Sequence, residues 1–442
     1  MTLKKILTGF RKLTPRIQFN RQKARRFLLG LGLVIVGSLV VTIVVVTIWP
    51  SVGAQGADFL RSILGNKPVA DLEELVFNVQ DTILQIEYRL GKATPSAPWQ
   101  IAAVTVSPVP APTLTLAPSL TLIPTQFTPL AGTLQPGLTA TLTPRMPSLA
   151  PTVTLPPSPT PWEPASVQPI GNISGEGKWD PYIQDQSGAT VAYRTFLQPD
   201  PERPYVIIAA VAFDLTRVRL HYILGTEEPY VPDAPKRSGA IPTSDLQPGV
   251  LLAAFNGGFK SIHGQFGVMA DSVVVLQPIK HMGTIALYRD GSIRIGEWGV
   301  DLVYSTDMVT FRQNCPLMVK NGEINPLVYN DSVNDWGGTV NGDTVTFRSG
   351  IGISQDGRTL YYFAGQKITM PILAKSMQVA GAYQAMQLDI NNYYVHFTSF
   401  PVENGQLTAS ALLPNDMTGN VARFLHPYAR DFFYVTTLNV AS

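Results

Sequence analysis

Three segments of this sequence carry an apolar run straight into side chains able to do chemistry. In LLAAFNGGFKSIHGQFG the run reaches Phe255 and delivers Asn256-Gly257-Gly258, with His263 following. Paired glycines let a backbone turn sharply and approach a ligand, and the Asn256 amide both donates and accepts hydrogen bonds. His263 titrates near neutral pH and suits proton transfer. The same residues also describe a plain Asn-Gly-Gly turn beside a structural histidine. In TVTFRSGIGISQDG, Arg348 leaves a β run just ahead of Ser349-Gly350. Its planar fork binds phosphate or carboxylate at two points, or closes a surface ion pair. In VAGAYQAMQLDINNYYVHF, the run Tyr383 to Leu388 ends on Asp389, with Asn391 and Asn392 behind it. A carboxylate so placed can take a proton from water, attack a carbon, coordinate a divalent cation or cap the next turn.

Other chemistries find no footing. The sequence has no phosphate loop, no dinucleotide fingerprint after a strand, no HExxH and no GxSxG elbow. One cysteine among 442 residues excludes a disulfide scaffold and a Cys-rich zinc module. That thiol, Cys315, is expected to be buried rather than nucleophilic. The oxygen-rich run Asn330 to Asp335 invites a calcium ion, but its spacing departs from the EF-hand loop and a solvated turn is the better reading. No cofactor and no metal are called for.

The order and spacing of the three segments are more specific than any one of them. From about Leu251 to Phe397 the chain resembles the phosphodiester glycosidase family. That family shows a strand followed by NGGFF, here Asn256-Gly257-Gly258-Phe259-Lys260. It also shows an Arg ahead of a Gly-hydrophobic-Gly strand and an Asp-Gly hairpin, here Arg348, Gly350, Ile351, Gly352 and Asp356-Gly357. A helix and an Ala-x-x-Leu-Asp strand complete the pattern, here Ala385, Leu388 and Asp389. The chain departs from it where the family continues with a Gly-rich, Ser-containing turn: here Ile390-Asn391-Asn392-Tyr393 follows. Loss of those glycines should narrow or reshape the pocket. The resemblance implies hydrolysis of a sugar-1-phosphodiester, with Asp389 and His263 as catalytic candidates. Asn256, Gly257, Gly258, Arg348, Asn391 and Asn392 are the substrate-binding candidates. The alternative is a non-catalytic glycan-binding or structural module on the same fold.

These residues need a scaffold, and residues 169–442 supply an α+β domain of mixed, mostly antiparallel sheets with few helices. Asp290-Gly291, Asn321-Gly322, Asp356-Gly357 and Asn404-Gly405 supply the positive φ angles of tight hairpins. Strands are expected at 206–213, 217–224, 250–255, 284–288, 292–296, 344–347, 350–354 and 359–364, and helices at Met370 to Ala380 and Met417 to Phe424.

The N-terminal part has another character. The first 26 residues hold nine of the 33 Lys and Arg and none of the 31 Asp and Glu, so the rest carries 24 bases against 31 acids. Nucleic acid is therefore not an expected partner. Residues 27–49 are uncharged and apolar, long enough to span a bilayer, and the basic residues before them place the N-terminus in the cytoplasm as a signal-anchor. Residues 50–93 read as membrane-proximal helices. Leu72, Val76, Val79, Ile83, Ile86 and Leu90 form a short heptad stripe, suited to a homodimer through 70–90 or to lying on the bilayer or on the chain's own domain. From Thr94 to Pro164 there are 17 Pro and 14 Thr with only two charges, so 94–168 is expected to be a disordered linker. The expectation is a single-pass membrane protein with an extracytoplasmic domain acting on an envelope carbohydrate or sugar-phosphate.

Overall fold

The computed structural model describes residues 59–61, 63–92, 94–99, 162–232, 235–329, 344–417 and 419–438, and isolated glycines at 30, 37 and 56. The expected span at 27–49 and the oxygen-rich run at 330–335 lie outside the described residues, as does most of the Pro/Thr segment. Among the described residues no helix is long and apolar enough to cross a membrane.

Among the described residues, the first element whose bounds are defined is a 24-residue helix, α1 (Asn66–Arg89). Twenty strands and one further helix follow: β1 (Asp180–Gln184), β2 (Thr190–Leu197), β3 (Ile208–Asp214), β4 (Val218–Ile223), β5 (Leu251–Asn256), β6 (Val268–Ala270), β7 (Val273–Leu276), β8 (Gly283–Tyr288), β9 (Ile293–Glu297), β10 (Met308–Gln313), β11 (Leu317–Lys320), β12 (Glu323–Ile324), β13 (Thr346–Ile353), β14 (Thr359–Ile368), α2 (Met370–Val379), β15 (Gln384–Gln387), β16 (Phe397–Ser399), β17 (Val402–Glu403), β18 (Gln406–Leu407), β19 (Ser410–Ala411) and β20 (Phe432–Thr437). All pairings between these strands are antiparallel.

An eight-stranded sheet runs β1-β2-β3-β14-β13-β15-β11-β12, beside five-stranded sheets ordered β7-β6-β10-β8-β9 and β19-β16-β5-β20-β4. Strands β3, β5 and β13 are buried along their whole length, so they show no polar alternation. The main core lies where the three sheets meet, with Phe213, Phe255, Tyr362, Phe397 and Phe433 packed together. On the other face of the large sheet, Ala210, Tyr361 and Phe363 pack against Leu373, Ala374 and Met377 of α2. That helix starts with Pro371 in its first turn and stops ahead of Gly381, which takes φ +95°.

Each of the four Asx-Gly pairs joins two antiparallel strands: β8 to β9, β11 to β12, β13 to β14 and β17 to β18. Two expectations need correcting. The runs at 344–347 and 350–354 are one strand, β13, because Ser349 and Gly350 continue the ladder with β14. Among the described residues from Met417 to Phe424 no α-helix forms: a 3-10 turn at Arg423–Leu425 stands there instead, and Gly419 takes φ +103°, outside the helical region.

Helix α1 lies on the domain, with Val69 and Val76 buried and Asp81 bound to Arg203. Of its heptad stripe only Val76 is fully buried, while Leu72, Ile83, Ile86 and Leu90 are 38–66% exposed. Residues 94–99 and 162–168, at the ends of the expected linker, also rest on the domain, and Val167 is buried.

Candidate functional site

Two of the expected site residues, Asn256 and Asp389, meet around Ser349 where β5, β13 and β15 approach one another. Strand β5 delivers Asn256, β13 carries Arg348 and Ser349, and β15 leads into Asp389. Asp389 donates its backbone N–H to the Gly257 carbonyl (3.2 Å), and its own carbonyl accepts bonds from the Ser349 N–H and hydroxyl. These links stitch the segments together.

The Asn256 amide is fully engaged by protein. Its Oδ1 accepts from the Tyr362 hydroxyl (2.9 Å) and the His396 N–H (3.1 Å). Its Nδ2 donates to Ser349 Oγ (2.9 Å) and the Gly257 carbonyl (3.0 Å). Burial of that cluster pushes the Tyr362 phenol well above its ordinary value, partly offset by the Ser349 hydrogen bond and helped slightly by the Asp389 charge.

Neighbouring residues on a strand face opposite ways. Ser349 points toward Asn256, so Arg348 points away. Its guanidinium, 1% exposed, donates to Gln387 Oε1 (2.8 Å), the Thr344 carbonyl (2.9 Å) and the Ile368 carbonyl (3.2 Å). The structure thus does not bring Arg348 together with Asn256 and Asp389. Cys315 lies on that same far side, 3.8 Å from Gln387 Nε2, and burial pushes its thiol up to about 12.

A different arginine meets Asp389. Arg430, just before β20, donates from Nη2 to Asp389 Oδ2 (2.5 Å) and to the Gly258 carbonyl (2.9 Å). The other carboxylate oxygen accepts the Ile390 and Asn391 N–H groups (2.8 and 2.9 Å), so Asp389 also caps the turn that replaces the family's glycines. The Arg430 guanidinium lies 4.2 Å from the Tyr394 ring, and Lys260 Nζ stands 5.3 Å from the same ring. Burial alone would lower Arg430, but Asp389 and Asp431 outweigh it and keep it charged. Its Nε is buried without a hydrogen-bond partner.

Asp431 anchors a second buried pair. Its Oδ2 accepts Arg312 Nε (2.8 Å), the Tyr222 hydroxyl (2.9 Å) and the Gly258 N–H (3.3 Å). This pair accounts for the double glycine. A Cβ on Gly257 would sit 2.3 Å from Asp431 Oδ2, and one on Gly258 would sit 2.8 Å from Arg312 Cζ.

The remaining candidates line the surface side. His263 is half-buried in the 3-10 turn Ser261–His263, three residues beyond Lys260. Asn391 Oδ1 caps the Tyr393 N–H (2.9 Å), and Asn392 Oδ1 accepts the Phe347 N–H (3.3 Å). Among the described residues, no cluster of three or more His, Cys, Asp or Glu could hold a metal ion. Arg430, Asp431 and Arg312 escaped the sequence reading. Its one available signal was Arg430-Asp431 abutting the apolar run FFYV, two charges where a buried strand begins.

With this geometry in place, comparison with known proteins shows what this part of the chain is similar to. Residues 250–389, from β5 to the carboxylate, match the family model described as phosphodiester glycosidase. Over that stretch the chain thus shows a phosphodiester glycosidase-like domain, which supports a hydrolase of the glycosidase type. No curated protein matches the chain. Among solved structures it is similar to the catalytic domain of zebrafish N-acetylglucosamine-1-phosphodiester alpha-N-acetylglucosaminidase auto-inhibited by its pro-peptide. That match has 14% identity and a TM-score of 0.37, over 58% of this chain and 87% of that one. It is also similar to a hypothetical protein from Synechocystis, at 10% identity and TM-score 0.35, over 58% of this chain and 64% of that one. An exported protein of Burkholderia pseudomallei K96243 follows, at 11% identity and TM-score 0.29, over 53% and 74%.

Proposed function

We propose that the domain hydrolyses the bond between a sugar C1 and the oxygen of a phosphodiester. The observation that carries this reading is the Asp389–Arg430 pair, which sets a carboxylate and a cation side by side at the end of the matched segment. A carboxylate offers about four acceptor positions. Three are filled by Ile390, Asn391 and Arg430, which leaves one on Oδ2 for a water molecule.

In the step we envisage, that water adds its oxygen to C1 while the C1–O bond to phosphorus breaks. Asp389 takes the water's proton, and the phosphate monoester leaves with the bonding electron pair. Such a leaving group is already a stable anion, so it needs less help from a general acid than an ordinary alkoxide does. Arg430, with Lys260 beside it across Tyr394, offers the phosphate its charge partners. Asn256 keeps the strand ends in register, and His263 stands on the adjoining loop as a proton carrier.

The membrane placement rests on the apolar stretch at 27–49 and the bases before it, and would bring the domain to glycans or glycolipids of the cell envelope. Pairing of two chains through 70–90 is supported by the apolar side chains that α1 leaves exposed. The test is release of reducing sugar by the full-length chain from a panel of sugar-1-phosphodiesters, with Asp389→Asn alongside. Release that vanishes in the variant is expected. Binding without release by the wild type would refute hydrolysis and leave a glycan-binding module.

A further inference from the structure

Strand β13 has β15, which leads to Asp389, on one side and β14 on the other. Its first residues hold the loop after Asp389: Thr346 Oγ1 donates to the Ile390 carbonyl (3.2 Å), and the Phe347 N–H to Asn392 Oδ1 (3.3 Å). Across from them β14 is irregular. Thr346 pairs with Ile368 and Arg348 with Gly365, so Gln366 and Lys367 together stand opposite Phe347. Such a bulge re-aims the side chains it carries. Lys367 takes φ +61° there, a left-handed backbone that ordinarily selects glycine.

The bulge borders a cavity of about 240 Å³, closed by residues from 94–98, 205–207 and 413–416. Thr94, Ser96, Gln366, Lys367, Asn415 and Asp416 are on its wall, and none of these six side chains has a hydrogen bond or an ion pair with the described residues. Lys367 and Asp416 sense each other's charge without pairing. Burial pushes the Asp416 carboxyl above its ordinary value, and the Lys367 charge offsets only part of that. A strained lysine and a half-buried carboxyl, both without a protein partner, point to a partner from outside the chain.

The lining selects its chemistry. One cation and one carboxyl give no net preference for an anion, unlike the Arg430 and Lys260 side of the Asp389 centre. Lys367 needs an acceptor and Asp416 a donor, and a sugar hydroxyl is both. The amides of Gln366 and Asn415 donate and accept in the same way. Pro98, Val206, Leu413 and Pro414 add apolar wall for the C–H face of a ring. The volume falls short of the roughly 300–1,000 Å³ of pockets for drug-sized ligands and suits a single ring. We propose that this cavity is a second sugar-binding site, which takes one uncharged hexose-sized ring between Lys367 and Asp416, apart from the Asp389 centre. It is a binding site only and does not rest on hydrolysis.

The test uses the full-length chain in a detergent without a sugar headgroup, titrated calorimetrically with the methyl glycosides of glucose, galactose and N-acetylglucosamine. At least one should bind with a dissociation constant on the order of 1 mM, the range open to so small a ligand. Lys367→Gly should weaken that binding by about tenfold or more, the effect of losing a hydrogen bond to a charged group. Because glycine takes φ +61° without strain, the same variant should unfold at a thermal midpoint no lower than the wild type. Asp416→Asn should also weaken binding with the midpoint kept. Asp389→Asn should leave it unchanged, which separates this cavity from the catalytic centre. Absence of binding by all three glycosides would overturn the proposal, as would binding that survives both Lys367→Gly and Asp416→Asn. Tighter binding of inorganic phosphate or glycine than of the sugars would overturn the ligand class. A lower midpoint in Lys367→Gly would show that the lysine serves the fold and would overturn its assignment to a ligand. None of these readouts depends on hydrolysis, so the proposal and the catalytic reading fail separately.

Discussion

Replacing Gly257 by alanine should cost more stability than any simple backbone penalty allows. The new Cβ would lie 2.3 Å from Asp431 Oδ2 and 2.7 Å from the Asp431 carbonyl oxygen, closer than carbon and oxygen tolerate. The carboxylate must therefore retreat. Its Oδ2 holds Arg312 Nε, the Tyr222 hydroxyl and the Gly258 N–H, and the Asp431–Arg312 side chains are 0% and 1% exposed. Disrupting a buried ion pair while both charges stay in place costs about 3–5 kcal/mol. Gly357→Ala is the matched control: it has open space around it but a φ of +70°, so it pays only left-handed backbone strain of roughly 1–2 kcal/mol. Denaturant unfolding followed by tryptophan fluorescence gives both values from the shift in midpoint at constant slope. If Gly257→Ala is no more destabilised than Gly357→Ala, the glycine pair does not exist to admit the buried ion pair, and the account of the motif fails.

Other outcomes follow from the same contacts. Lys260→Ala should raise KM for a sugar-1-phosphodiester roughly fivefold with kcat nearly unchanged, since one charge contact of about 1 kcal/mol is lost from ground state and transition state alike; an unaltered KM in steady-state kinetics would remove Lys260 from the site. Cys315, with its thiol at about 12, should resist iodoacetamide at pH 8 in the native protein and react only after unfolding, as read by mass spectrometry. His396 is fully buried, with neither ring nitrogen hydrogen-bonded, and burial followed by the Arg423 charge lowers it to about 3. The folded state therefore refuses a proton that the unfolded chain takes below about pH 6.5, so stability is complete above that value. It should fall by about 1.4 kcal/mol per pH unit between there and pH 3. In His396→Leu that contribution to the acid limb of the midpoint-versus-pH curve should disappear.

Local signals carried much of the architecture. The Asx-Gly pairs marked real hairpins because their left-handed backbone is needed wherever two strands reverse tightly, and the Pro371 and Gly381 pair bracketed α2 for the equally local reason of helix-end geometry. The positions of Asn256 and Asp389 were legible as strand ends turning polar. What could not be read was facing and distant partnership. Alternation says that Arg348 and Ser349 point opposite ways, but which of them meets Asn256 depends on how β13 sits over β5, a tertiary fact. Arg430 reaches Asp389 across 41 residues, and nothing in the spacing of either announces the other. The heptad stripe of α1 was visible, whereas the domain surface that takes its other face was not, because Arg203 and Tyr205 look like ordinary loop residues until Asp81 is beside them.

Strand β20 lies between β5 and β4 in its sheet, and Arg430 and Asp431 immediately precede it. During synthesis, every other described strand leaves the ribosome before the one that completes both ion pairs. Until then β5 has β16 on one side and an unpaired row of backbone donors and acceptors on the other. A product terminated before residue 430 would therefore be more than inactive. It would expose a long apolar edge, open to pairing with another chain, and quality control would meet it as an aggregation hazard rather than as a quiet null allele.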